Sequence, residues 1–222
     1  MKDSAINHMN FAVNGTRIQQ RLAKLATFGA NSTGGIDRNF GSNADIAARE
    51  YLIEVLESEV GANVRVDGAA NIWAGRPGMA DLPALAIGSH HDTVLNGGRL
   101  DGAMGIVLAM EILQVFREQR YPLRHPLFFV SFTAEEPNPF DLSTFGSRMV
   151  TGKLAPDSLT EIKDSVSGQS LAAALQKAGG DFEKLAAARL EHRGLSAFIE
   201  CHIEQGIRLE KQNKALAAVS HI

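Results

Sequence analysis

The sequence predicts an α/β fold, a mainly parallel sheet flanked by helices. Two observations lead there. Three short apolar runs, Pro83 to Ile87, Leu127 to Thr133 and Leu195 to Ile203, are separated by stretches with helical patterning. Each run also ends in residue types that bind metals, and in open α/β sheets sites lie outside the carboxyl ends of the strands.

Taken in order, Asn10 to Phe28 reads as a helix with Phe11, Ile18, Leu22 and Leu25 near one face. Gly29 to Gly41 is rich in Gly, Ser and Asn and reads as a loop. A second helix is expected from about Ala44 to Val60, with Ile46, Leu52, Ile53, Leu56 and Val60 as its apolar stripe and Gly61 as its stop. Asn63 to Asp67 and Asn71 to Gly75 read as a hairpin around Gly68. The run ending at Gly88 has the continuous apolar character of a buried strand. Gly102 to Glu118, rich in Ala, Leu, Ile and Met, is a helix, and Leu127 to Thr133 a strand. Short helices follow at Gly168 to Ala178 and Phe182 to Arg189, then the third strand, then a helix beginning at Ile207 to Lys211. There is no internal repeat.

A chain of 222 residues holds one large domain or two small ones. Its 45% hydrophobic and 21% charged content is that of a globular protein able to bury a core without metal as a staple. The net charge of -3 gives no pull toward nucleic acid or an anionic membrane. Cys201 is the single cysteine, so an intrachain disulfide is impossible and a reducing compartment fits. Met1 to Thr16 lacks the apolar run of a secretion signal, and no stretch is long and apolar enough to span a bilayer. The expectation is a cytoplasmic protein.

The chemistry gathers at three strand ends: Gly88-Ser89-His90-His91-Asp92, Thr133-Ala134-Glu135-Glu136 and His202-Ile203-Glu204-Gln205-Gly206. Asp101, opening the helix after the first strand, joins them. Imidazole nitrogen and carboxylate oxygen are the donors a divalent cation such as zinc takes. A carboxylate can bridge two ions about 4 Å apart, an arrangement that polarises a carbonyl and acidifies water. Glu135-Glu136 offers one ligand and one base, and Asp92 can hold the His90 imidazole in one tautomer. Taken singly, each has a plainer reading. His90 could be a polar surface residue, Glu135-Glu136 a solvated pair, Asp101 a helix cap and His202 a satisfied core histidine. Cys201 reads as a buried small apolar residue facing away from His202. His91 faces elsewhere, and His8, His125, His192 and His221 read as surface or structural. Three strand-end clusters in this order are what the plainer readings do not predict.

His90-x-Asp92, Gly97-Gly98-Arg99-Leu100-Asp101-Gly102, Glu135-Glu136, Phe145-Gly146-Ser147-Arg148 and His202-Ile203-Glu204-Gln205-Gly206 together resemble the N-carbamoyl-L-amino-acid hydrolases and allantoate amidohydrolases, within the wider zinc aminoacylase and carboxypeptidase family. The resemblance runs from the first helix to Ile222. It implies a zinc-aminopeptidase-like catalytic domain with two divalent metal ions (zinc, manganese, cobalt or nickel) that hydrolyses the carbamoyl C–N bond of a small ureido substrate. It implies that His90 and His202 ligate one metal, Asp101 bridges, Glu136 ligates the second, Glu135 is the general base, Asp92 orients His90 and Gln205 holds substrate. Two departures stand out. After Glu136 the family often runs Gly-Ser-Arg-Phe, whereas this chain has Pro137-Asn138-Pro139-Phe140, two positions without an N–H donor. The resemblance also implies that residues 1–222 are the N-terminal, truncated part of the metal-binding domain. An inserted dimerisation domain and a C-terminal segment supplying one further His lie outside it. The parent enzyme is then expected to be a homodimer, or to be completed by another chain. An aminoacylase or peptidase on the same site, or a non-catalytic metal-binding protein, are the alternatives.

Overall fold

The computed structural model describes residues 11–190 and 194–220. Helix α1 (Gly15–Leu25) is capped by Asn14, whose side chain accepts from the Arg17 N–H. Helix α2 (Asn43–Ser58) is capped in the same way by Ser42 on Asp45. Strands β1 (Asn63–Val66) and β2 (Ile72–Arg76) form the expected hairpin. Then come β3 (Ala84–His90), α3 (Ala103–Glu118), β4 (Leu127–Phe132), α4 (Phe145–Val150), α5 (Leu171–Lys177), β5 (Leu195–Ile199) and the single turn α6 (Arg208–Lys211).

The five strands lie in the order β1-β2-β4-β3-β5. β4, β3 and β5 are mutually parallel, and the β1–β2 hairpin joins β4 antiparallel. The sheet is therefore mixed, because a two-stranded hairpin needs no crossover and adds to one edge with its strands reversed. Alternation along the strands sorts the side chains. Ile72, Ala74, Ile87, Leu127 and Phe129 pack with α2 and α3 through Leu52, Leu56, Ile106, Met110 and Leu113. Trp73, Ala86 and Val130 take the opposite face with Val150. Burying a side chain such as Phe129 contributes about 1.5–3 kcal/mol, and this double-sided core fixes where β3 and β4 end.

Several expectations shift. α1 is shorter than Asn10 to Phe28: Ala26 to Phe28 form a turn, and residue 10 lies outside the described residues, as do His8, His192 and His221. β3 runs on to His90, so its first metal-type residue sits on the strand itself. β5 stops at Ile199 rather than Ile203, because its last pairing with β3 is Ile87 with Ile199. The segment Phe182–Ala188 is a 3-10 helix. Helix α4 begins after a left-handed Thr144 (φ 49°), a start that the sequence does not signal.

Candidate metal centre

The carboxyl ends of the parallel strands bring the predicted residues together. His90 is buried at the end of β3. Its Nδ1–H donates to the Asp92 backbone oxygen at 3.0 Å, which directs Nε2 toward Asp101 and Glu135 at 4.0 and 3.7 Å. Room for the ring depends on Gly102 (φ 62°): a Cβ there would lie 2.5 Å from His90 Nε2.

Asp92 meets His90 mainly through its carbonyl, since its carboxylate stands 3.7 Å from Nδ1. The carboxylate instead accepts the N–H of Glu135 at 3.2 Å on one oxygen and the N–H of Glu136 at 3.0 Å on the other. The left-handed Ala134 (φ 49°) turns the chain so that both amides point the same way. Burial pushes the Asp92 carboxyl up to about 6. Burial also raises Glu136. For His90, burial pulls downward, but Asp92, Glu135 and Glu136 hold it on balance above the ordinary imidazole value.

His202 follows β5 with its side chain partly exposed, so it is not a core histidine. Its Nδ1–H donates to the Ile203 carbonyl at 2.9 Å, and Nε2 stands 3.1 Å from Asp101 Oδ1. Gln205, itself left-handed (φ 53°), donates to Asp101 Oδ2 at 2.8 Å. Cys201 is half-buried rather than buried. Glu204 takes no part in the cluster, accepting instead from the Arg208 and Leu209 N–H groups at the start of α6.

Two overlapping groups have donor atoms within 4.8 Å of one another: His90, Asp101 and His202, and His90, Glu135 and Glu136. The hydrogen bonding inside them tests whether a cation fits. Both imidazoles have carbonyls at Nδ1, so the neutral form of each carries its proton there and turns an Nε2 lone pair inward. Asp101 Oδ1, which they face, is buried without a hydrogen bond. Three acceptors converge on a space that no donor fills, and a divalent cation satisfies all three.

Sequence reasoning missed the support under the site. His91 turns to the opposite side from His90, where Nε2–H donates to Asp45 at 2.8 Å and Nδ1 meets the Ser131 hydroxyl at 2.7 Å. Arg49 pairs with Asp45 and donates to Thr133 Oγ1 at 2.8 Å. Arg38, fully buried, donates from Nε to the His91 carbonyl at 2.6 Å. The only sequence signal was charged residues on otherwise apolar helix and loop positions.

A profile of peptidase family M28 matches residues 71–164, which include His90, Asp92, Asp101, Glu135 and Glu136. The chain is 34% identical over 211 residues to an N-carbamoyl-L-amino acid amidohydrolase of Geobacillus stearothermophilus, covering 95% of this chain and 51% of that one. It is 34% identical over 200 residues to an allantoate amidohydrolase of Bacillus subtilis, covering 89% and 47%. A crystal structure of a hydantoinase/carbamoylase family amidase from Burkholderia ambifaria matches with a TM-score of 0.83 at 32% identity, over 91% of this chain and 49% of that one. The chain thus spans about half the length of the relatives it matches. Among the described residues no helix is long and apolar enough to cross a membrane.

Proposed function

We infer, from the premise that this chain belongs to the family of N-carbamoyl-L-amino-acid and allantoate amidohydrolases, that it carries the metal centre of a hydrolase cleaving the carbamoyl C–N bond of N-carbamoyl-L-amino acids. The observation that carries this reading is the convergence of His90 Nε2 and His202 Nε2 on Asp101 Oδ1, a buried oxygen that accepts no hydrogen bond. His90, His202 and Asp101 would hold one divalent ion, and Glu136, beside His90, would contribute to a second. Zinc, manganese, cobalt and nickel all accept such nitrogen and oxygen donors. When bound, such ions polarise a carbonyl and make water a better acid.

The chain's own residues supply the rest. Glu135, half-exposed beside His90 Nε2, is the carboxylate free to take a proton from attacking water and pass it to the departing nitrogen. Asp92 holds Glu135 and Glu136 by their backbone amides, so base and ligand keep a fixed separation. Gln205 orients the Asp101 carboxylate by donating to Oδ2, and its remaining N–H and amide oxygen would be available to substrate. On this reading the remaining ligand and the substrate carboxylate's grip come from the half of the whole protein that these residues do not span. Allantoate is the second reading, favoured by the comparable identity to the Bacillus subtilis relative.

The test is ammonia release from N-carbamoyl-L-amino acids and from allantoate by the metal-loaded full-length protein, beside its Glu135→Gln variant. Activity on either ureido compound that Glu135→Gln abolishes supports the reading. Hydrolysis of N-acyl amino acids alone would move it to an aminoacylase.

A further inference from the structure

The last ladder pair of β5 joins Ile87 to Ile199, three residues short of His202. From there the chain leaves the sheet along an exposed edge. Beside the His90–His202 ring stack (centroids 5.7 Å apart), a side-chain hydrogen bond crosses back to β3: Ser89 Oγ donates to Glu200 Oε1 at 2.5 Å. Ser89 is buried and immediately precedes His90, while Glu200 is exposed and lies two residues before His202. The bridge therefore links the neighbours of the two imidazoles that face Asp101. Helix α3 closes on the same spot, since a Cβ at Gly105 would fall 2.5 Å from the Cys201 carbonyl oxygen and 2.7 Å from Ser89 Cβ.

We propose that Glu200, acting through Ser89, is a positioning residue of the metal centre, fixing how far His202 stands from His90. The inference rests on the metal-centre reading above. A buried hydroxyl is costly without an acceptor, and Glu200 is the acceptor that Ser89 uses. The bond that His202 makes at Nδ1 is to the adjacent residue and ties it to no other strand. A carboxylate near a cation also attracts it by charge alone, but the two roles separate cleanly. A glutamine keeps the acceptor oxygen and loses the charge.

The test is a Co²⁺ titration of this chain followed by visible absorption, alongside thermal melting of the metal-free protein. Glu200→Ala and Ser89→Ala are each expected to weaken Co²⁺ binding about tenfold, as loss of a partner behind a ligand does. Their double variant is expected to be no weaker than either single one, because both remove the same bond. Glu200→Gln is expected to bind like the parent, and metal-free melting of the two Glu200 variants to match it. Glu200→Gln as weak as Glu200→Ala, or single effects that multiply in the double variant, would overturn the proposal. If Ser89→Ala does not fold, the two Glu200 variants, altered only at an exposed side chain, decide alone. His202→Ala separates the two levels. If it removes binding while Glu200→Ala leaves binding intact, this inference falls by itself. If the parent binds no Co²⁺, the metal-centre reading falls and takes this one with it.

Discussion

The two halves of the candidate metal centre are built differently. The half on β3 and β4 is buried and tied from several sides: Asp92 to two amides, His91 to Asp45 and Ser131, Arg49 to Thr133. The half after β5 lies on an edge strand whose Phe198 and Ile199 are exposed, and it reaches the rest through Ser89, Asp101 and backbone packing on α3. Donors of one centre thus differ in how firmly the fold holds them. The first half is part of the core's stability, and the second is chiefly part of the site.

The largest effect that would break this contrast is at Asp45. Asp45→Ala leaves Arg49 and His91 buried without their partner, and such losses cost about 3–5 kcal/mol. Urea unfolding of the metal-free protein measures this, and a loss under 1 kcal/mol would mean that the network does not brace β3.

The second effect depends on pH. Burial, the largest influence, lowers His91 to about 4 from 6.5, although Asp45 opposes it. The unfolded chain therefore binds a proton at this residue that the folded chain refuses, and its contribution to stability falls as pH drops from about 6.5 to about 4. Asp45, held down to about 2 by Arg49 and His91 against its burial, loses its contribution only below that window, from about 3.8 to about 2. Asp92, raised to about 6 by its burial, acts with the opposite sign between about 3.8 and 6, so His91→Gln is needed to isolate the part due to His91. The stability of the parent relative to His91→Gln is expected to fall by about 3 kcal/mol across the window, at about 1.36 kcal/mol per pKa unit. A difference that stays flat from pH 7 to 4 would show His91 free to protonate in the fold.

Gly102→Ala comes next. Its φ of 62° and a new Cβ 2.5 Å from the His90 ring predict a loss of about 1–3 kcal/mol, together with weaker Co²⁺ binding. Parent-like melting and binding would contradict the close approach. The smallest effect sharpens the comparison from the other side. His202→Ala is expected to change unfolding free energy by less than about 0.5 kcal/mol, as at surface positions, while removing Co²⁺ binding. A large loss of stability there would erase the distinction between the halves.

Much of this was legible in the sequence. The apolar runs of β3 and β4 and the long helix α3 come from patterning alone, and the residue types at three strand ends are those the fold brings together. What the sequence did not reveal was mostly long-range. Asp45 and His91 are 46 positions apart and Arg49 and Thr133 are 84 apart, so no local pattern joins them. The early end of β5 depends on how far its neighbour pairs, and the start of α4 on a left-handed threonine without a cap bond. The chemical identity of Asp92 was clear, but its grip on two successive amides is a property of the turn at Ala134.

That grip bears on tolerance to sequence change. Below Glu136 the loop is organised separately, by Asn138, which donates to the Glu136 and Leu142 carbonyls and accepts from the Phe140 N–H. With the two glutamates pinned upstream by one aspartate, Pro137 and Pro139 take away amides that the pinning never used. Substitution at Pro137 or Pro139 thereby leaves both amide bonds to Asp92 intact, whereas position 92 calls for a short side chain with two acceptors.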